Sequence, residues 1–189
     1  MPNDNIDRAI KKGTGELPGV IYEETAYEAY GPGGTAILIE AATDNRNRTA
    51  AEIRNILEKR GGNMSGAGSV AWQFSKKGYI SVKKESAEED KLMSIALDAG
   101  AADFKSEKDN YEIITEPNDF EAVKKAIELA KIAVESAEVT QLPQNTVQVA
   151  DSATAKTILT LMDLLEEHED VQHVYSNFDI PDEVMQELG

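Results

Sequence analysis

Cysteine is absent from the sequence, which excludes disulfides, thiolate zinc sites and cysteine nucleophiles and fits a reducing cytoplasm. Histidine is nearly as scarce, with only His168 and His173. Long apolar runs are missing as well. None approaches the roughly 20 residues that a bilayer-spanning helix requires, and the first fifteen or so residues lack the apolar centre of an export signal. A cytoplasmic protein without a membrane partner is expected, and the N-x-S/T triplets at Asn47 and Asn63 then carry no glycosylation meaning. Hydrophobic residues still make up 41% of the 189 positions, enough for one large core or two small ones.

Positive charge is the other shortage. The formal net charge is −16, which argues against polyanion binding, because phosphate affinity rests on clustered Lys and Arg. The distribution alters that reading. Residues 1–84 carry 12 basic and 10 acidic side chains, whereas residues 85–189 carry 7 and 25. Such polarity is compatible with one face that meets a polyanion and another that is repelled by it, although a solubilising acidic surface produces the same tally.

What is present is a regular alternation of short strands and amphipathic helices. Val20–Tyr30 is rich in β-formers, Gly31-Pro32-Gly33-Gly34 is a turn, and Thr35–Ala42 reads as a second strand. Thr49 with Glu52 spells a capping box ahead of a helix that buries Ile53, Ile56 and Leu57 and stops at Gly61. After a glycine-rich loop to Gly68, Ser69–Ser75 and Tyr79–Val82 read as strands separated by Lys76-Lys77-Gly78. Ser86 with Glu89 suggests a second capping box, for a helix that ends at Gly100. Strands near 102–105 and 111–115 precede a helix capped by Asn118 or Asp119, whose stripe is Phe120, Val123, Ile127, Ala130 and Val134. β segments at 139–142 and 147–149 flank Pro143, Asp151 caps a helix with Ala155, Ile158, Met162 and Leu165 inward, and 171–175 is the final strand. The expected class is α+β. Residues 78–144 spell β-α-β-β-α-β, the split pattern of ferredoxin-like folds. Residues 16–77 and 145–189 supply the parts of a second such sandwich interrupted by the first, and residues 1–15 form a helical remnant.

Catalytic and metal chemistry find little support. His168 and His173 are five residues apart across an expected helix end, unlike the four-residue spacing on one helical face that places two imidazoles on a zinc ion. No Ser-His-Asp set is arguable, so neither a catalytic residue nor a metal ligand is assigned. Neither glycine-rich segment precedes a helix, so neither fits a nucleotide loop. Gly31–Gly34 is a hairpin turn, whereas Gly61–Gly68 could lie against a nucleic-acid backbone. No cofactor and no small-molecule substrate are expected. The basic residues are more suggestive. Arg46 and Arg48 sit before the first capped helix, Arg54, Lys59 and Arg60 lie on its polar side, and Lys76, Lys77, Lys83 and Lys84 follow with Trp72, Phe74 and Tyr79 interleaved. Together they make a nucleic-acid footprint of phosphate-binding cations and base-stacking rings. The plainer alternative places Trp72 and Phe74 on one face of a strand, in the core.

Four stretches carry a resemblance: Met1-Pro2-Asn3-Asp4-Asn5-Ile6 through Gly13, Asp44-Asn45-Arg46-Asn47-Arg48-Thr49, Gly61-Gly62-Asn63 through Val70, and Val171-Gln172-His173-Val174-Tyr175-Ser176-Asn177. Together they resemble the YebC/PmpR family across the whole chain. The resemblance implies a three-domain α/β architecture. It also implies a regulator of gene expression that binds DNA, or one that acts in translation on the ribosome and its rRNA, as does the family's mitochondrial translational activator of cytochrome c oxidase. In that family the Met-Pro-Asn-Asp-Asn-Ile run is internal and follows a strongly basic helical segment. Its absence here leads to an expectation of weakened nucleic-acid binding. A protein-interaction adaptor is the alternative from another class.

Overall fold

The structure, a computed structural model, describes residues 20–188; the helical remnant expected at 1–15 lies outside them. The elements begin with β1 (Glu23–Tyr30), β2 (Ala36–Thr43), α1 (Arg46–Lys59) and β3 (Asn63–Ser65). They continue with β4 (Phe74–Lys83), α2 (Glu89–Asp98), β5 (Ala101–Ser106), β6 (Asn110–Thr115), α3 (Phe120–Leu129) and β7 (Ser136–Pro143). The last are β8 (Val147–Gln148), α4 (Ser152–Glu166), β9 (Val171–Ser176), β10 (Phe178–Asp179) and α5 (Asp182–Leu188). Two compact units result: one discontinuous, ending at Gln73 and resuming at Pro143, and one inserted, Phe74–Leu142.

In the inserted unit the sheet order is β5-β6-β4-β7, the order of a ferredoxin-like split βαβ sandwich. Ile80 and Val82 of β4 and Tyr111 and Ile113 of β6 meet Leu92 and Ala96 of α2 and Phe120, Val123 and Ile127 of α3. Alternation in the strands and 3-4 spacing in the helices place these residues on facing surfaces. β4 runs unbroken through Lys76-Lys77-Gly78, where composition suggested a turn between two strands. The glycine serves close packing instead. A Cβ at Gly78 would lie 2.7 Å from Cδ2 and 2.9 Å from Cβ of Phe120, and nearer still to Thr115 Oγ1. The expected Ser86–Glu89 capping box does not form either: α2 starts after Glu88 with no side-chain cap, and Ser86 ends a separate 3-10 turn, Lys84–Ser86.

Helix α3 ends on a left-handed residue, Lys131, at φ 60°. Its amide reaches Glu128 O at 2.9 Å, while Ile132 N reaches Ile127 O at 3.3 Å. This is a helix-terminating arrangement that favours glycine at the left-handed position. Lys131→Gly is expected to stabilise the inserted unit by about 0.5–1 kcal/mol, because it removes the crowding of Cβ in that conformation. Urea unfolding of the two proteins measures the difference.

The discontinuous unit has a four-stranded antiparallel sheet ordered β3-β1-β2-β9. Ile53 and Leu57 of α1 and Leu161 and Leu165 of α4 bury against Ala29, Ile37 and Ile39, so two helices share one face of the sheet. This sandwich has the same layers as the inserted one, but its hairpin comes first. A second cluster, Val149, Ala155, Ile158 and Val184, joins the start of α4 to the chain end. Asp151 caps α4 as its sequence signalled, with Oδ2 accepting Thr154 N at 2.8 Å. By contrast, α1 starts a turn earlier than its apparent capping box. Asn45 is the cap, its Oδ1 accepting Arg48 N at 3.1 Å, and Thr49 is a buried residue inside the helix. Arg46 and Arg48 are therefore helical rather than in a preceding loop. The β segment expected at 147–149 is present as β8, whereas the short β3, β10 and α5 escaped sequence reading because two or three strand residues, or two helical turns, show too little periodicity to detect.

Candidate nucleic-acid interface

The nine cations divide between the units, with Arg46, Arg48, Arg54, Lys59 and Arg60 on the discontinuous unit and Lys76, Lys77, Lys83 and Lys84 on the inserted one. On the first, the N-terminal end of α1 is already committed to the protein. Arg48 Nη2 lies 2.7 Å from Asp170 Oδ2 and 3.0 Å from Asp44 Oδ1. The hydrogen bond to Asp170 raises the guanidinium pKa and keeps it charged. Arg46 contacts Thr25 Oγ1 at 3.1 Å and Glu23 at 4.0 Å. The C-terminal end is different. Arg54, Lys59 and Arg60 are exposed and form no ion pair among the described residues; Arg54 reaches only Met64 Sδ, at 3.9 Å.

On the inserted unit, Lys77 pairs with Glu116 and Lys83 lies 3.7 Å from Glu135. Lys84 Nζ stands 5.6 Å from the Tyr111 ring centroid, a cation–π contact. Lys76 is exposed and makes no ion pair among the described residues. Lys83, Lys84 and Lys108 line an open concavity with Glu85, Asp109 and Glu135. Equal numbers of opposite charges there leave no net field for an anion.

The buried end of the α1 network is a hydrogen-bond relay. Asn45 N donates to Thr43 Oγ1 at 2.9 Å, and the hydroxyls of Thr43 and Thr49 lie 2.7 Å apart. Thr49 then donates to Asp170 Oδ2 at 2.8 Å. Asp170 also stands close to His168 and Glu52, and ligand atoms of all three fall within 4.8 Å of one another. Such a trio could in principle hold a metal ion. However, His168 Nδ1 accepts the Asp170 amide at 3.1 Å, so the ring proton sits on Nε2 and donates to Glu52 Oε2 at 2.9 Å. With the imidazole proton turned toward Glu52 and Asp170 already engaged, the trio works as an anchor for α1.

The glycine-rich loop also departs from the sequence reading. Asn63–Ser65 is strand, and the turn beyond it is closed by Glu28 of β1. The Glu28 carboxylate accepts Gly68 N at 2.7 Å, Val70 N at 2.6 Å and Ala71 N at 2.9 Å. This amide nest holds an anion from its own chain, so it is not free to cradle a phosphate. Gly68, at φ +83°, supplies the backbone reversal. Partial burial of Glu28 pushes its pKa up, but the amides of Val70, Gly68, Ala71 and Ser69 outweigh this and hold it below the ordinary 4.5. A depressed folded-state pKa means stabilisation that is complete above 4.5 and lost as the pH falls through the lower value. Tryptophan emission is therefore expected to stay constant down to about pH 4.5 and to change below it; Glu28→Gln should abolish that step.

Trp72, expected in the core beside Phe74, is 64% exposed, whereas Phe74 is buried. The two are not on one strand face, because Ala71–Gln73 is a 3-10 turn that ends where β4 begins.

Residues 22–178 match the family model described as TACO1/YebC second and third domain. A protein of Syntrophobacter fumaroxidans named "Probable transcriptional regulatory protein" is 55% identical, over 100% of this chain and 76% of its own. One of the same name from Dictyoglomus turgidum is 53% identical with the same coverage. The crystal structure of a conserved hypothetical protein from Aquifex aeolicus superposes with a TM-score of 0.76 at 44% identity, covering 98% of this chain and 76% of that one. The first two are named as regulators, and no described helix of this chain is long and apolar enough to cross a membrane. A match that runs through both sandwich units, with more than half the residues identical in full-length alignments of this chain to two relatives, makes this chain a member of the TACO1/YebC family.

Proposed function

We propose that the protein is a non-enzymatic, nucleic-acid-associated regulator of gene expression that contacts duplex DNA through the outer face of α1. The observation that carries this reading is the set of exposed cations Arg54, Lys59 and Arg60, which have no carboxylate partner among the described residues of a chain that otherwise holds an excess of acid. Unneutralised Lys and Arg release counterions from phosphates, whereas a cation already paired with a carboxylate gains little. The relatives' names support a regulatory role. Lys76 and Lys84 contribute on the inserted unit, and Arg46, Arg48, Lys77 and Lys83 are secondary because each is paired.

The test is a salt titration of duplex binding. Reversal of Arg54, Lys59 and Arg60 to glutamate should lower the slope of log K against log salt by roughly two to three, about one per lost phosphate contact. Reversal of Lys77 and Lys83 should change it far less. Unchanged binding after the triple reversal rejects α1 as the interface. Competition by rRNA fragments decides the second reading, a ribosome-associated translation factor, because tighter binding to rRNA than to duplex DNA moves the physiological target to the ribosome.

A further inference from the structure

The 26 residues from Lys59 to Lys84 contain six cations and not one Asp or Glu, in a chain with 35 acidic residues. Near the middle of this stretch stands the protein's single tryptophan, Trp72, the only aromatic among the large apolar side chains left exposed in the described residues. An exposed indole costs solvation and gains nothing by itself, so the reason for its outward presentation lies in its surroundings.

Those surroundings hold it rigidly. Indole Nε1 donates to Ser69 O at 3.0 Å, and the same carbonyl accepts the Tyr30 hydroxyl at 3.2 Å. Gln144 Nε2 reaches Trp72 O at 3.3 Å, Gln73 N reaches Val70 O at 2.9 Å, and Val70 is fully buried. Beneath the turn, Glu28 takes the three amides described above. The indole thus has its only polar atom satisfied, its backbone clamped from both sides and its ring in solvent. A ring that is ordered before binding loses little conformational entropy when a flat partner stacks on it.

We infer that Trp72 is a stacking platform for an unpaired nucleobase of single-stranded RNA or DNA. The inference rests on the nucleic-acid reading above and adds a contact that α1 cannot make, because phosphate-binding cations carry no preference for an open base. Duplex ends and interiors keep their bases stacked on each other, so Trp72 favours single strands. The turn that carries Trp72 has no acidic residue of its own, and the Glu28 carboxylate beneath it is taken up by three backbone amides, which favours a nucleic acid over a cationic protein segment as the partner of the ring.

The single tryptophan lets the full chain report directly. Titration with a short oligouridylate at low salt, followed by tryptophan emission and by the anisotropy of a labelled strand, is expected to show strong quenching along the same isotherm as binding. A duplex should bind without quenching. Trp72→Leu should weaken oligouridylate binding by about tenfold and leave duplex binding unchanged, while Trp72→Phe should lie between. Saturable oligouridylate binding with unaltered emission, together with equal affinity of Trp72→Leu, overturns the platform while the α1 reading stands, and leaves the ring to a protein partner. Failure of the oligouridylate alone to bind overturns the platform, and failure of both nucleic acids to bind overturns both readings.

Discussion

Asp170→Ala is expected to destabilise the discontinuous unit by about 3 kcal/mol. Asp170 is 2% exposed, and its Oδ2 is shared by Arg48 at 2.7 Å and Thr49 at 2.8 Å. Removal of the carboxylate takes from the wholly buried Thr49 hydroxyl its acceptor at 2.8 Å, leaving it the Asn45 carbonyl at 3.1 Å, and cuts the relay through Thr43 to Asn45 at the α1 cap off from its charged end. Arg48 is affected less, since 37% of its side chain is exposed and water replaces part of the loss. The estimate therefore sits at the low end for a broken buried pair. Asp170→Asn keeps an acceptor for Thr49 and loses only the charge, so it should cost less. Because the chain divides into two compact units, hydrogen exchange, which reads each amide by itself, is the proper measurement. Amides of α1, β2 and β9 should lose protection while those of α2 and α3 keep theirs. A change below about 1 kcal/mol in Asp170→Ala overturns the anchor role.

Gly78→Ala should be as severe for the inserted unit, again about 3 kcal/mol. The new methyl would lie 2.7 Å from Phe120 Cδ2, and neither that ring nor Thr115, both buried, can withdraw without opening the contact between β4 and α3. Backbone strain plays no part here, since Gly78 lies within a regular strand paired with Thr115. Lys76→Ala, exposed two residues earlier on the same strand, is the control and should stay within about 0.5 kcal/mol. Protection of α3 amides reads out both. Equal stability of Gly78→Ala and wild type would mean that α3 shifts to admit the methyl at no cost.

Both predictions fall where sequence reasoning and structure part company. The Thr49–Glu52 and Ser86–Glu89 pairs have capping-box spacing, yet neither caps. The Thr49 hydroxyl goes instead to a carboxylate 121 residues away, a partner invisible to any local rule. Asp151 caps as expected because its partner, Thr154, is three residues along. Gly78 looked like a turn because a Lys-Lys-Gly run usually marks one, whereas here the constraint comes from the Phe120 ring of α3. Trp72 read as core because hydrophobic neighbours on an assumed strand imply burial, and the turn at Ala71–Gln73 turns it outward.

The candidate interface shows the same division. That Arg54, Lys59 and Arg60 lie on the polar side of α1 follows from helical periodicity around Ile53 and Leu57 alone. Which cations remain unneutralised does not follow, because Arg48 finds Asp170 at a separation of 122 residues and Lys77 finds Glu116 at 39. Local pattern was enough to determine the α+β class, the helix faces, the stop at Gly61 and the uneven charge of the two halves, since each depends on neighbours within a few residues. Only tertiary structure decided which side chains are spent on the protein itself. It consumed Glu28 in closing a turn and Asp170 in anchoring a helix, and it left Arg54, Lys59 and Arg60 of α1 and one indole facing water, because long-range pairing is set by how the sheets and helices pack.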